Sequence, residues 1–93
     1  MFSKQNLESE VREFMTEYMV KKVGRDRLIR ISTFGPVERE DLNLSIFVKD
    51  LTKEEEFKLS RELLYIFDKE DLDIPFGIFS QKYLKNYKAS DSS

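Results

Sequence analysis

Apolar residues recur at helical spacing near the start of the chain. Leu7, Val11, Phe14, Met15 and Tyr18 fall to one side and Glu8, Arg12, Glu13 and Glu17 to the other, which is the pattern of an amphipathic helix. Ser3 stands where it can cap that helix, with Phe2 and Leu7 as the two ends of a hydrophobic staple, and Gly24 follows Lys21-Lys22-Val23 as a stop. The spacing predicts a helix over about residues 4–22.

From Arg27 onward the period changes to two. Ile29, Ile31 and Thr33 share one face, and Leu28, Arg30, Ser32 and Phe34 share the other, so a first strand is expected. After Gly35-Pro36 and the polar run Glu38-Arg39-Glu40-Asp41, alternation resumes, with Leu42, Leu44, Ile46 and Val48 set against Asn43, Ser45, Phe47 and Lys49. The link between the two strands is too short for a parallel crossover, which predicts an antiparallel pair. Thr52-Lys53-Glu54-Glu55 is a capping box, and Phe57, Leu59, Leu63, Ile66 and Phe67 continue it as the apolar side of a second helix. A third alternating run follows, Leu72, Ile74, Phe76 and Ile78 against Asp73, Pro75, Gly77 and Phe79. Pro75 cannot donate to a ladder, so this strand belongs at an edge or carries a bulge. Ser80 then heads a short last helix bearing Tyr83, Leu84 and Tyr87, and residues 89–93 read as a disordered tail.

The order α-β-β-α-β-α defines an α+β fold, a small three-stranded mixed sheet with helices packed on it, in a single domain over residues 1–88. A chain of 93 residues leaves no room for a second domain. The longest apolar run, Leu63 to Phe67, is far too short to span a bilayer. The N-terminal residues lack the basic and apolar regions of a signal peptide, and there is no cysteine, so the expected location is the reducing cytoplasm.

Composition removes most chemistry. With no Cys and no His the chain has no thiol nucleophile, imidazole base or soft metal ligand. Asp71-x-Asp73 has the spacing of a pair that holds a hard cation, but acidic residues at a strand entry in a chain 37 % charged read more simply as a solubilising rim. No metal, no cofactor and no catalytic residue is assigned. A net charge of −2 gives no global field to recruit nucleic acid or anionic lipid.

The chain has eight Phe residues. Phe34, Phe47 and Phe79 fall one to each strand on the second face of the sheet. Packing beneath the chain's own helices is the first reading of these rings, a surface for a protein or a second copy the next, and base stacking by nucleic acid the last. Met15 and Met19 join the three rings as candidate partner contacts, from the flank of the first helix. Arg25, Arg27, Arg30 and Arg39 form the alternative set, for phosphate. Lys82, Lys85 and Lys88 near the C-terminus read as a solvated face.

The segment Leu28 to Phe79 resembles the minimal core of the nucleotidyltransferase superfamily, the DNA polymerase β-like fold. A leading helix, a strand ending in Phe34-Gly35, a loop with Arg39, the strand Asn43-Leu44-Ser45-Ile46-Phe47-Val48, a capped helix and a further strand follow in that family's order. The chain departs from the family where chemistry resides: Gly35-Pro36 stands for Gly-Ser, Asn43 and Ser45 stand at the Asp-x-Asp metal positions, and Gly77 lies near the third carboxylate position. The resemblance therefore implies a non-catalytic relative that binds nucleotide or nucleic acid. The residues themselves favour a non-catalytic protein-interaction or self-association module, with a protein partner or a homodimer and no membrane.

Overall fold

A computed structural model of the chain describes residues 2, 5–35 and 41–81. The elements are α1 (Leu7–Val23), β1 (Leu28–Phe34), β2 (Asn43–Val48), α2 (Lys53–Lys69) and β3 (Phe76–Ser80), and the sheet order is β1-β2-β3. The β1–β2 pair is antiparallel and the β2–β3 pair parallel, with α2 as the crossover, so the sheet is mixed as expected. The last helix expected after Ser80, and the tail behind it, lie outside the described residues.

α1 begins later than the sequence suggested. Its N-cap is Asn6, without a side-chain capping bond, and Ser3 lies outside the described residues. Phe2 stands edge-on to Phe14, 5.7 Å between ring centroids. Gly24 ends the helix at φ +94, a conformation that L side chains rarely adopt, and its N–H closes on the Val20 carbonyl at 2.9 Å. α2 carries the predicted capping box. The Thr52 hydroxyl accepts the Glu55 N–H at 3.1 Å, and the Glu55 carboxylate accepts the Thr52 N–H at 3.0 Å.

Both helices pack on one face of the sheet. A single core joins Leu7, Val11, Met15, Met19 and Val23 of α1 and Leu59, Leu63 and Phe67 of α2 to Ile31, Leu44, Ile46, Val48 and Ile78 of the strands. Two expectations are corrected here. Met15 and Met19 are fully buried, so neither is available as a partner contact. They lie four residues apart in the middle of the α1 stripe and fill the space over the sheet, the use to which the flexible thioether chain is suited. Phe57 was expected in the core but is 62 % exposed. It sits two residues before Leu59, about 200° around the helix, and so points away from the sheet.

β1 departs from strict alternation. Leu28 pairs with Val48 and Arg30 with Phe47, so Ile29 is an extra residue in a bulge. The bulge turns Leu28 toward the core, where it is half-buried, and leaves Ile29 exposed. Pro75 precedes β3, an edge strand, so its missing N–H removes no ladder bond, while its carbonyl accepts the Leu44 N–H at 3.0 Å.

Candidate functional site

The strand registers place the face opposite the helices in three rows across the sheet. Arg30, Phe47 and Phe79 form one row, Ser32, Ser45 and Gly77 the next, and Phe34 with Asn43 the third. Side chains two apart on a strand share a face, so the alternation that sends Leu44, Ile46 and Val48 into the core sends Asn43, Ser45 and Phe47 here. Among the described residues no helix covers this face. Phe34 is 55 % exposed and Phe79 47 %.

The aromatic row is ordered by its own contacts. Phe47 and Phe79, direct neighbours across the parallel pair, stack with centroids 5.4 Å apart and planes at 25°. The Arg30 guanidinium carbon, from the strand on the other side of β2, lies 5.1 Å from the Phe47 centroid, a cation–π contact. Gly77 makes room for this posture. A Cβ placed there would come within 2.7 Å of Phe79 Cζ, so the ring leans back over a residue with no side chain of its own.

Side chains of α1 reach the β1 edge of the sheet. Arg12 of α1 donates from Nη1 to the Ile31 carbonyl at 3.2 Å and from Nη2 to Thr33 Oγ1 at 2.5 Å, and the Thr33 hydroxyl donates to Glu8 at 2.8 Å.

The arginines proposed for phosphate are not brought together. Arg27 is engaged on the helix side: its guanidinium donates to both Glu55 oxygens, at 2.9 and 2.7 Å, and to the carbonyls of Lys49 and Asp50, at 3.2 and 2.9 Å. This fork and the Thr52 N–H hold the Glu55 carboxyl down at about 2. Arg30 lies on the open face, Arg25 is exposed in the turn after α1, and Arg39 lies outside the described residues. A second polar link joins the helices. Tyr18 donates to Glu62 at 2.5 Å, and the Lys22 ammonium lies 3.1 Å from the same carboxylate. Desolvation and Glu62 push the Tyr18 phenol well above the usual tyrosine range, and Tyr18 and Lys22 pull Glu62 down. These perturbed groups are spread over the α1–α2 junction and the α2 N-terminus, where they act as structural ties.

Asp71 and Asp73 are likewise tied into the backbone. Asp71 holds φ +57 in the turn after α2, and Asp73 exchanges two hydrogen bonds with Asp41: its N–H to Asp41 Oδ2 at 2.8 Å, its carbonyl from the Asp41 N–H at 2.9 Å. Among the described residues there is no group of three or more carboxylates that would hold a metal ion, and no helix is long and apolar enough to cross a membrane.

Two members of the site were legible in the sequence yet not joined to it. Arg30 shares its alternation with Phe34, which placed it on this face rather than in a phosphate cluster, and Gly77 stands two residues before Phe79 on the same face. No family model, curated protein or solved structure matches this chain.

Proposed function

We propose that this chain is a non-catalytic protein-interaction module of the cytoplasm, and that it binds an apolar polypeptide surface bearing a carboxylate through the open face of its sheet. The observation that carries the reading is the Arg30–Phe47–Phe79 row, a stacked aromatic pair flanked by a cation on a face that no described helix covers. Phe and Arg are residue types enriched at protein interfaces. Charge selects the occupant. The three rows contain Arg30 and no carboxylate, so a second copy laid face to face offers Arg30 nothing to pair with. The chain's own residues 82–93 carry three lysines against a single acid, Asp91. A different polypeptide with an Asp or Glu beside apolar side chains satisfies both the rings and the guanidinium.

The alternative is a nucleotide- or nucleic-acid-binding relative of the nucleotidyltransferases without catalytic activity. It draws on the same row, since a ring pair with an adjacent arginine also suits base stacking. Engagement of Arg27 by Glu55 leaves this reading fewer free cations than the sequence suggested.

Panning a phage-displayed random peptide library against the full chain tests the proposal. Enriched peptides are expected to combine aromatic or aliphatic residues with Asp or Glu, and to lose about tenfold or more in affinity for Phe79→Ala and for Arg30→Glu. Peptides that bind both variants as well as the native chain, or no enrichment at all, overturn it. A mixed-sequence single-stranded RNA that binds with a salt dependence reduced by Arg30→Glu would transfer the face to the alternative.

A further inference from the structure

The outward sides of the two helices differ. α1 exposes Glu8, Arg12, Glu13, Thr16 and Glu17, as a solvated helix does. α2 exposes Phe57 at 62 %, Leu64 at 60 % and Tyr65 at 67 %, turned away from the core it shares with the sheet. Phe57, Arg61 and Leu64 follow one another at spacings of four and three, so they form a continuous stripe along the helix. Lys53 extends the stripe four residues before Phe57, and Asp68 extends it four residues after Leu64; both are exposed. Arg61 lies along its own Phe57 ring, guanidinium carbon 5.6 Å from the centroid.

We propose that this stripe pairs two copies of the chain through an antiparallel α2–α2 contact in which Phe57 faces the partner's Leu64. The charges of the stripe choose that arrangement. A parallel pair sets Lys53, Arg61 and Asp68 each against itself. An antiparallel pair that centres Phe57 on the partner's Tyr65 sets Glu54 against the partner's Asp68. Only the antiparallel register that joins Phe57 to the partner's Leu64 brings Lys53 opposite the partner's Asp68, and the two-fold axis repeats both contacts. A single helix on a single helix falls short of the roughly 1,200 Å² of a stable interface, so the dimer is a weak one that forms at high concentration. It is independent of the sheet face, which lies on the other side of the molecule.

Charge reversal tests it on the full chain. Lys53→Asp and Asp68→Lys each place like charges together at two symmetric contacts. Both substitutions also suit the helix dipole, an acid entering the first turn and a base the last, so neither threatens the fold. Sedimentation velocity from micromolar to millimolar protein is expected to show a monomer–dimer equilibrium for the native chain. Each reversal alone should weaken it about tenfold or more. An equimolar mixture of the two variants should associate again, because in the mixed dimer Asp at 53 meets Lys at 68 and the native pair survives at the other end. A native chain that stays monomeric at millimolar concentration overturns the proposal, as does a mixture that fails to recover. A dimer indifferent to both reversals also overturns it, and its loss in Phe79→Ala would then assign association to the sheet face.

Discussion

Replacing Glu55 by Gln should cost stability in a pH-dependent manner that identifies the Arg27 clamp as its source. Glu55 receives two guanidinium bonds from Arg27 and the Thr52 N–H, which together lower its carboxyl from 4.5 to about 2. Gln retains one acceptor, enough for the Thr52 N–H, but loses the charge and half of the bidentate fork. Both side chains of the pair are about a third exposed, so solvent screens most of what the shift would be worth in a dry site, and ~1 kcal/mol is the expected loss near neutral pH. For a domain of this size that lowers the melting temperature by about 5 °C. The sign of the pH dependence follows from the direction of the shift. As pH falls, the unfolded chain protonates Glu55 first, so the stabilisation is whole above the ordinary carboxylate range and disappears between 4.5 and about 2. Urea denaturation of the native chain and Glu55→Gln, followed by circular dichroism across that range, should give two stability curves that are parallel near neutrality and converge in acid. A gap that does not change with pH would refute the clamp and leave the difference to packing.

Other expectations follow from the same structure. Met15→Ala and Met19→Ala empty fully buried sites, so each should cost about 2–5 kcal/mol in urea denaturation; a loss under about 1 kcal/mol would put these side chains back at the surface. Tyr18→Phe should remove from a spectrophotometric alkaline titration a phenol that ionises well above the ordinary tyrosine range, because burial and Glu62 raise Tyr18; loss of a phenol from the ordinary range instead would separate Tyr18 from Glu62. Gly77→Ala should drive the Phe79 ring off the position it occupies against Phe47, seen as a loss of mutual ring-current shifts, while stability changes by no more than about 1 kcal/mol. Retention of those shifts would mean that Phe79 does not lie over Gly77.

The parts of the fold that were legible in the sequence are those where local pattern and tertiary burial agree. β2 alternates without a break because one face lies on the core and the other on solvent. α2 starts at Thr52 because its capping box is complete within four residues. The failures occur where a single position decides the outcome. The bulge at Ile29 exchanges faces for Leu28, and nothing in the alternation of Arg27 to Phe34 announces it. Phe57 belongs to a second apolar stripe on α2, and hydrophobicity alone does not say which of two stripes meets the sheet. Met15 and Met19 were assigned to a flank because the α1 stripe was centred one residue too early, on Phe14 and Tyr18, which are half-buried at its margin. The face with Phe34, Phe47 and Phe79 was legible from period-two spacing. That the two helices would both choose the opposite face was not, since each helix has a stripe that would fit either side of a bare sheet.

Among the described residues the Phe47–Phe79 row stands open, and the proposed function requires that it be open in the full chain. Paramagnetic relaxation enhancement of aromatic ring protons by a soluble gadolinium chelate measures this directly, with Phe57, 62 % exposed, and Phe67, 2 % exposed, as internal references. Phe34 and Phe79 are expected to broaden nearly as strongly as Phe57. Broadening of Phe34 and Phe79 as weak as that of Phe67 would contradict it, since another part of the chain would then cover the face.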